Sequence, residues 1–136
     1  PGAGKTTYVL ENKSRNDLIV DMDYIYQAIT GFDFYDKPQK FLPFACEARD
    51  SLINRLKRHN DIDTAWIIGT YPKSHQRNDL RLKLNAGVIL IKPDKSTCID
   101  RVMNDDRRKD KQQHVRFIEK WFKDFTPMRF DKVIKY

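Results

Sequence analysis

The chain opens Pro1-Gly2-Ala3-Gly4-Lys5-Thr6-Thr7 and runs on into the apolar Tyr8-Val9-Leu10. The opening matches the second half of the phosphate-binding pattern G-x-x-x-x-G-K-[ST], with Gly4-Lys5-Thr6 as its end. The first Gly of that pattern would fall two residues before Pro1, so the sequence is expected to begin inside the motif. Glycines suit such a loop because its backbone N–H groups must turn inward and approach phosphate oxygens closely. The helix that follows would aim its free N–H groups and positive dipole end at the same anion. Gly2, Ala3, Gly4, Lys5, Thr6 and Thr7 are therefore the candidate nucleotide-binding residues. Lys5 would reach the β- and γ-phosphates, and the Thr6 hydroxyl would take a coordination place on Mg²⁺. The plain alternative is a glycine-rich turn that happens to precede a lysine.

Outward from the loop, apolar runs alternate with helical patterns. A helix is expected over 5–15, then a short buried strand at Leu18-Ile19-Val20 ending in Asp21-Met22-Asp23. Tyr24, Ile25, Ala28 and Ile29 recur at helical spacing, with Gly31 as a stop. Residues 32–43 form an aromatic connection, either a flap over a substrate or a loop pinned by Phe32, Phe34 and Phe41. From 44 to 60 a helix would bury Phe44, Ala45, Ala48, Leu52 and Leu56 and expose Arg49, Arg55, Lys57 and Arg58. Ala65-Trp66-Ile67-Ile68 and Val88-Ile89-Leu90-Ile91 read as further strands. Ser74 would cap a helix to about Asn85 between them. A helix over 97–106 would turn Ile99 and Val102 inward. The charged run 105–111 follows, then a helix over 114–125 with Ile118, Trp121, Phe122 and Phe125 on one side. Residues 131–136 give a last strand. This alternation predicts a parallel α/β sheet, with the strand that leads into the loop lying upstream of Pro1.

Composition sets the bounds. At 136 residues the chain is expected to form one domain without staples. Cys46 and Cys98 show no C-x-x-C spacing, which points to free thiols in a reducing, cytoplasmic compartment. No apolar run approaches the ~20 residues that span a bilayer, so no membrane partner is expected. The net charge of +7 favours polyanions, nucleic acid among them. His59, His75 and His114 are scattered and form no metal-ligand pattern.

Asp21 and Asp23 stand at the carboxyl end of a parallel strand, the edge at which open α/β sheets bind ligands. One carboxylate there can hold a Mg²⁺ water shell while the other accepts a proton from an attacking hydroxyl. The alternative is that Asp23 only caps the next helix.

These features together resemble the P-loop kinases that phosphorylate hydroxyl groups. The closest likeness is to the bacteriophage-type polynucleotide 5′-hydroxyl kinase domain, with the shikimate and gluconate kinases beside it. The likeness rests on the Pro-Gly-x-Gly-Lys-Thr-Thr loop and on the acidic pair after the next strand. It also rests on Ile67-Ile68-Gly69-Thr70 before a helix with Arg77 near its start, and on an Arg-rich stretch late in the chain. It implies a three-layer P-loop NTPase fold with strand order 2-3-1-4-5, the first strand lying upstream. It implies ATP and Mg²⁺ as cofactors, Lys5 on phosphate, Thr6 and Asp21 at the metal, and Asp23 as general base. Arg107 or Arg108 would be the lid arginine on the transferring phosphoryl, with Arg101 a second candidate. Two positions depart from the family. Tyr26 stands where the polynucleotide kinases carry an Arg for substrate phosphate, and Gly69 stands where many relatives carry an Asp. The expected activity is phosphoryl transfer from ATP to a polynucleotide 5′-hydroxyl. The alternatives are a nucleotide or small-metabolite kinase acting on a small-molecule hydroxyl, and a non-catalytic ATP-binding module of a nucleic-acid complex.

Overall fold

The computed structural model describes residues 1–136. It is a mixed α/β chain, about half helical, and it divides into two compact units. One unit comprises Pro1–Tyr8 and Thr70–Tyr136, the other Val9–Gly69. No helix is long and apolar enough to cross a membrane.

Helix α1 (Lys5–Asn12) starts at the loop lysine and carries the chain from the first unit into the second. In the second unit β1 (Leu18–Asp21) pairs in parallel with β2 (Ala65–Ile68), Leu18 opposite Ala65 and Asp21 opposite Ile68. The connection holds α2 (Met22–Thr30), a short 3-10 turn (Gln39–Phe41) and α3 (Leu42–Arg55). A parallel pair requires such a crossover. The two helices pack on each other, and both touch β1. Val9, Val20, Ile25, Tyr26, Ala45 and Ile53 form the buried apolar set.

Three local expectations change here. Helix α2 begins at Met22, because the Asp21 side chain accepts from the Asp23 N–H at 3.0 Å and caps the helix from the strand end. Its buried face is Ile25 and Tyr26, while Ile29 is 47% exposed. On α3, Phe44 is 65% exposed. Helix α3 starts at Leu42, and the inward stripe runs through Ala45 and Ile53.

In the first unit β3 (Val88–Ile91) pairs in parallel with β4 (Asp131–Ile134), Val88 opposite Asp131 and Ile91 opposite Ile134. Helix α4 (Ser74–Leu84) ends at Asn85, which takes the left-handed conformation at φ 49°. Helix α5 (Lys95–Met103) and α6 (Lys111–Asp124) pack together. Cys98, Val102 and Ile118 form their buried seam, with Ala3, Ile99 and Phe122 against it. Burial of each large apolar side chain contributes about 1.5–3 kcal/mol. The inward roles expected of Ile99, Val102 and Ile118 are met.

A buried guanidinium ties the rest of this unit together. Arg77, on α4, is 5% exposed. It grips both oxygens of Asp131 at 2.9 and 2.8 Å. Its other N–H groups donate to the carbonyls of Tyr71, Pro72 and Thr126 at 2.6–2.8 Å.

Candidate functional site

The loop residues are built for close backbone approach. Gly2 and Gly4 have φ of +69° and +86°, a region that side chains disfavour. A Cβ on Gly2 would lie 2.4 Å from the Cys98 carbonyl oxygen, and one on Gly4 would lie 2.7 Å from Cδ1 of the Tyr136 ring. Helix α1 starts directly after Gly4, whose carbonyl accepts from the Tyr8 N–H at 2.9 Å. Lys5 and Thr6 are thus the first two helical residues, half-buried at a helix N-terminus. The geometry fits an anion cradle: two left-handed glycines, then a helix start carrying a lysine and a hydroxyl.

Arg101 sits beneath this cradle. Its guanidinium donates to the Gly2 carbonyl at 3.4 Å and to the Tyr136 carbonyl at 3.0 Å. The Tyr136 ring also meets Tyr8 edge-on at 5.6 Å. Tyr136 carries no motif in the sequence, and its place at the loop was not legible there. Cys98 is buried against the loop, and that burial pushes its thiol pKa up. Cys46 and Cys98 are both free thiols.

The Arg-rich stretch between α5 and α6 is ordered by its own charges. Asp105 accepts from Arg107 at 2.8 and 3.0 Å and from Arg108 at 3.1 Å. The Arg107 side chain is 72% exposed, the Arg108 side chain only 10%. Arg108 also lies 3.5 Å from His114 Nδ1. A run so charged has little to bury, and that holds at Arg107 but not at Arg108. Of the two, Arg107 is the more exposed. Its hydrogen bonds hold the Asp105 pKa below the ordinary 3.8. A depressed folded pKa means the Asp105 contribution is full above pH 3.8 and is lost as pH falls through the lower folded value. Hydrogen exchange across 105–111 is expected to slow at neutral pH when ATP and acceptor are added. Equal exchange with and without them would make the segment a plain charged turn.

The acidic pair lies in the other unit. Asp21 is the last residue of β1 and is 5% exposed. Asp23 stands in the first turn of α2 and pairs with the Lys37 ammonium through Oδ1. The cap on α2 is thus Asp21, which leaves the Asp23 carboxylate to a side-chain partner. Lys37 lies in the aperiodic aromatic connection, so no spacing rule marked it. That connection is pinned as well: Tyr24 meets Phe34 at 5.1 Å and Phe32 meets Phe41 at 6.3 Å. Tyr26 is 4% exposed, and burial followed by the field of Cys46 raises its pKa. It packs as core and offers nothing to a substrate phosphate.

No group of three or more His, Cys, Asp or Glu residues is placed to cage a metal. Mg²⁺ bound with a nucleotide needs only one or two protein groups beside phosphate oxygens and water. Set beside known proteins, the chain matches no family model, no curated protein and no solved structure.

Proposed function

We propose that this chain is an ATP-dependent phosphotransferase acting on a hydroxyl, with a polynucleotide 5′-hydroxyl as its acceptor. The observation that carries the reading is the pair of left-handed glycines, Gly2 and Gly4, set directly before a helix that begins Lys5-Thr6. In this reading the fold is a three-layer P-loop NTPase fold. The pairings β1 with β2 and β3 with β4 are those of strands 2-3 and 4-5 in the order 2-3-1-4-5.

The proposed roles follow from chemistry. Lys5 neutralises phosphate charge, and Thr6 and Asp21 serve Mg²⁺, which supplies electrostatic stabilisation of the phosphoryl group. Asp23 takes the acceptor hydroxyl proton once the Lys37 ammonium has turned aside. Arg107 offsets charge that develops on the transferring group. Positioning and electrostatics then carry most of the rate.

The test is transfer of labelled γ-phosphate to a 5′-hydroxyl oligonucleotide, beside nucleosides and small hydroxyl metabolites, at two salt concentrations. Oligonucleotide labelling that weakens with salt is expected, as is its loss in Lys5→Ala together with ATP affinity. ATP binding by Lys5→Ala equal to the parent would overturn the loop assignment. Salt-insensitive labelling of small acceptors alone would instead make the chain a nucleotide or metabolite kinase. One observation favours a second reading, an ATP-binding module without turnover: the Asp23 carboxylate is already engaged by Lys37. Tight ATP binding with no acceptor labelled would establish that reading.

A further inference from the structure

A second basic surface lies in the unit that carries the loop, at the opposite end of its strand pair. Phe130 directly precedes β4, whereas Tyr136, beside the loop, follows it. The chain between them includes the four residues of β4, which span roughly 13 Å. Phe130 is 54% exposed. The Arg81 guanidinium lies 4.3 Å from its ring centroid and the Arg129 guanidinium 5.9 Å. Arg81 is held in place, with Nε and Nη2 both 3.2 Å from Asn78 Oδ1. Lys83 and Lys132 are exposed on the last turn of α4 and on β4. The adjoining acid is withdrawn. The Asp131 side chain is 3% exposed and wholly taken up by Arg77 and the Met128 N–H. Asp79 is the one acid on α4.

A phenylalanine left exposed forgoes burial, and the two guanidiniums beside it concentrate positive charge. Ring and cations side by side are the elements that bind single strands. Aromatic faces stack bases, guanidiniums stack on bases or meet phosphates, and neither demands a particular sequence. We infer that Arg81, Arg129 and Phe130 form a binding surface for single-stranded nucleic acid, with a base stacked on the Phe130–Arg81 pair and phosphates met by Arg129. The surface lies apart from the candidate phosphate loop and works without ATP, so it goes beyond the phosphotransferase reading and can fail independently of it.

The test is fluorescence anisotropy of labelled oligothymidylate titrated with the full chain across a salt series, without nucleotide. Phe130→Leu is expected to weaken binding roughly tenfold, the worth of one stacked base, while Phe130→Trp binds as the parent does. Arg129→Gln should shrink the log–log salt slope by about 0.7, whereas Arg81→Gln should weaken binding with the slope little changed. Circular dichroism of each variant checks the fold, and ATP titration checks that the loop is untouched. Phe130→Leu binding as tightly as the parent would overturn the inference. So would inorganic polyphosphate competing as well as oligothymidylate, since that would show charge alone at work. Failure of the parent to bind oligothymidylate at low salt would overturn it as well.

Discussion

Arg77→Ala is expected to destabilise the unit that contains it by about 3–5 kcal/mol, the usual cost of leaving one partner of a buried ion pair alone. The Asp131 carboxylate, 3% exposed in the parent, would be left with no cation, and the carbonyls of Tyr71, Pro72 and Thr126 would lose a donor. Against a total stability of about 5–15 kcal/mol that is a large fraction. Arg77→Lys should recover little of it, because an ammonium cannot reproduce the two-pronged grip on Asp131. Urea unfolding followed by circular dichroism reads the loss. The double variant Arg77→Ala with Asp131→Ala should be less destabilised than the sum of the single variants, since removing both charges leaves none buried. Additive losses would show that the two side chains act independently.

Asp23→Asn is expected to lower turnover by roughly 10²–10⁴, the worth of a general base, with ATP affinity retained. Asp21→Asn is expected to raise the Mg²⁺ requirement instead. The structure makes the comparison clean. An asparagine at position 21 keeps an oxygen that can accept from the Asp23 N–H, so the start of α2 stays capped. Turnover by Asp23→Asn within a few-fold of the parent, with the large loss in Asp21→Asn, would reverse the two assignments.

What could be read from the sequence was local. Leu18-Ile19-Val20, Ala65-Trp66-Ile67-Ile68 and Val88-Ile89-Leu90-Ile91 are strands because short apolar runs between polar turns have few other uses. The loop announced itself through adjacent residues. What was not legible joins residues far apart in the chain. Arg77 reaches Asp131, Arg101 reaches Gly2, and Lys37 reaches Asp23, and no periodicity encodes any of these meetings. Phe44 was misplaced for a different reason. It stands one residue, about 100° of helical arc, before the buried Ala45, and so falls outside the inward face. Helix α5 begins at Lys95, two residues before the expected Thr97, with Asp94 at its cap position.

The two glycines of the loop also differ in how they restrict the evolutionary future of the chain. What bars a side chain at Gly2 is a main-chain carbonyl, that of Cys98, and main chain is shared by every sequence with this backbone. What crowds Gly4 is the ring of Tyr136, a side chain that a single codon change removes. Position 2 is therefore closed to drift by the architecture itself. Position 4 is closed by the intrinsic cost of its φ and by one neighbour, and that neighbour can be replaced. Homologues that lose the glycine at position 4 should do so only in company with a smaller residue at position 136, whereas position 2 has no such partner.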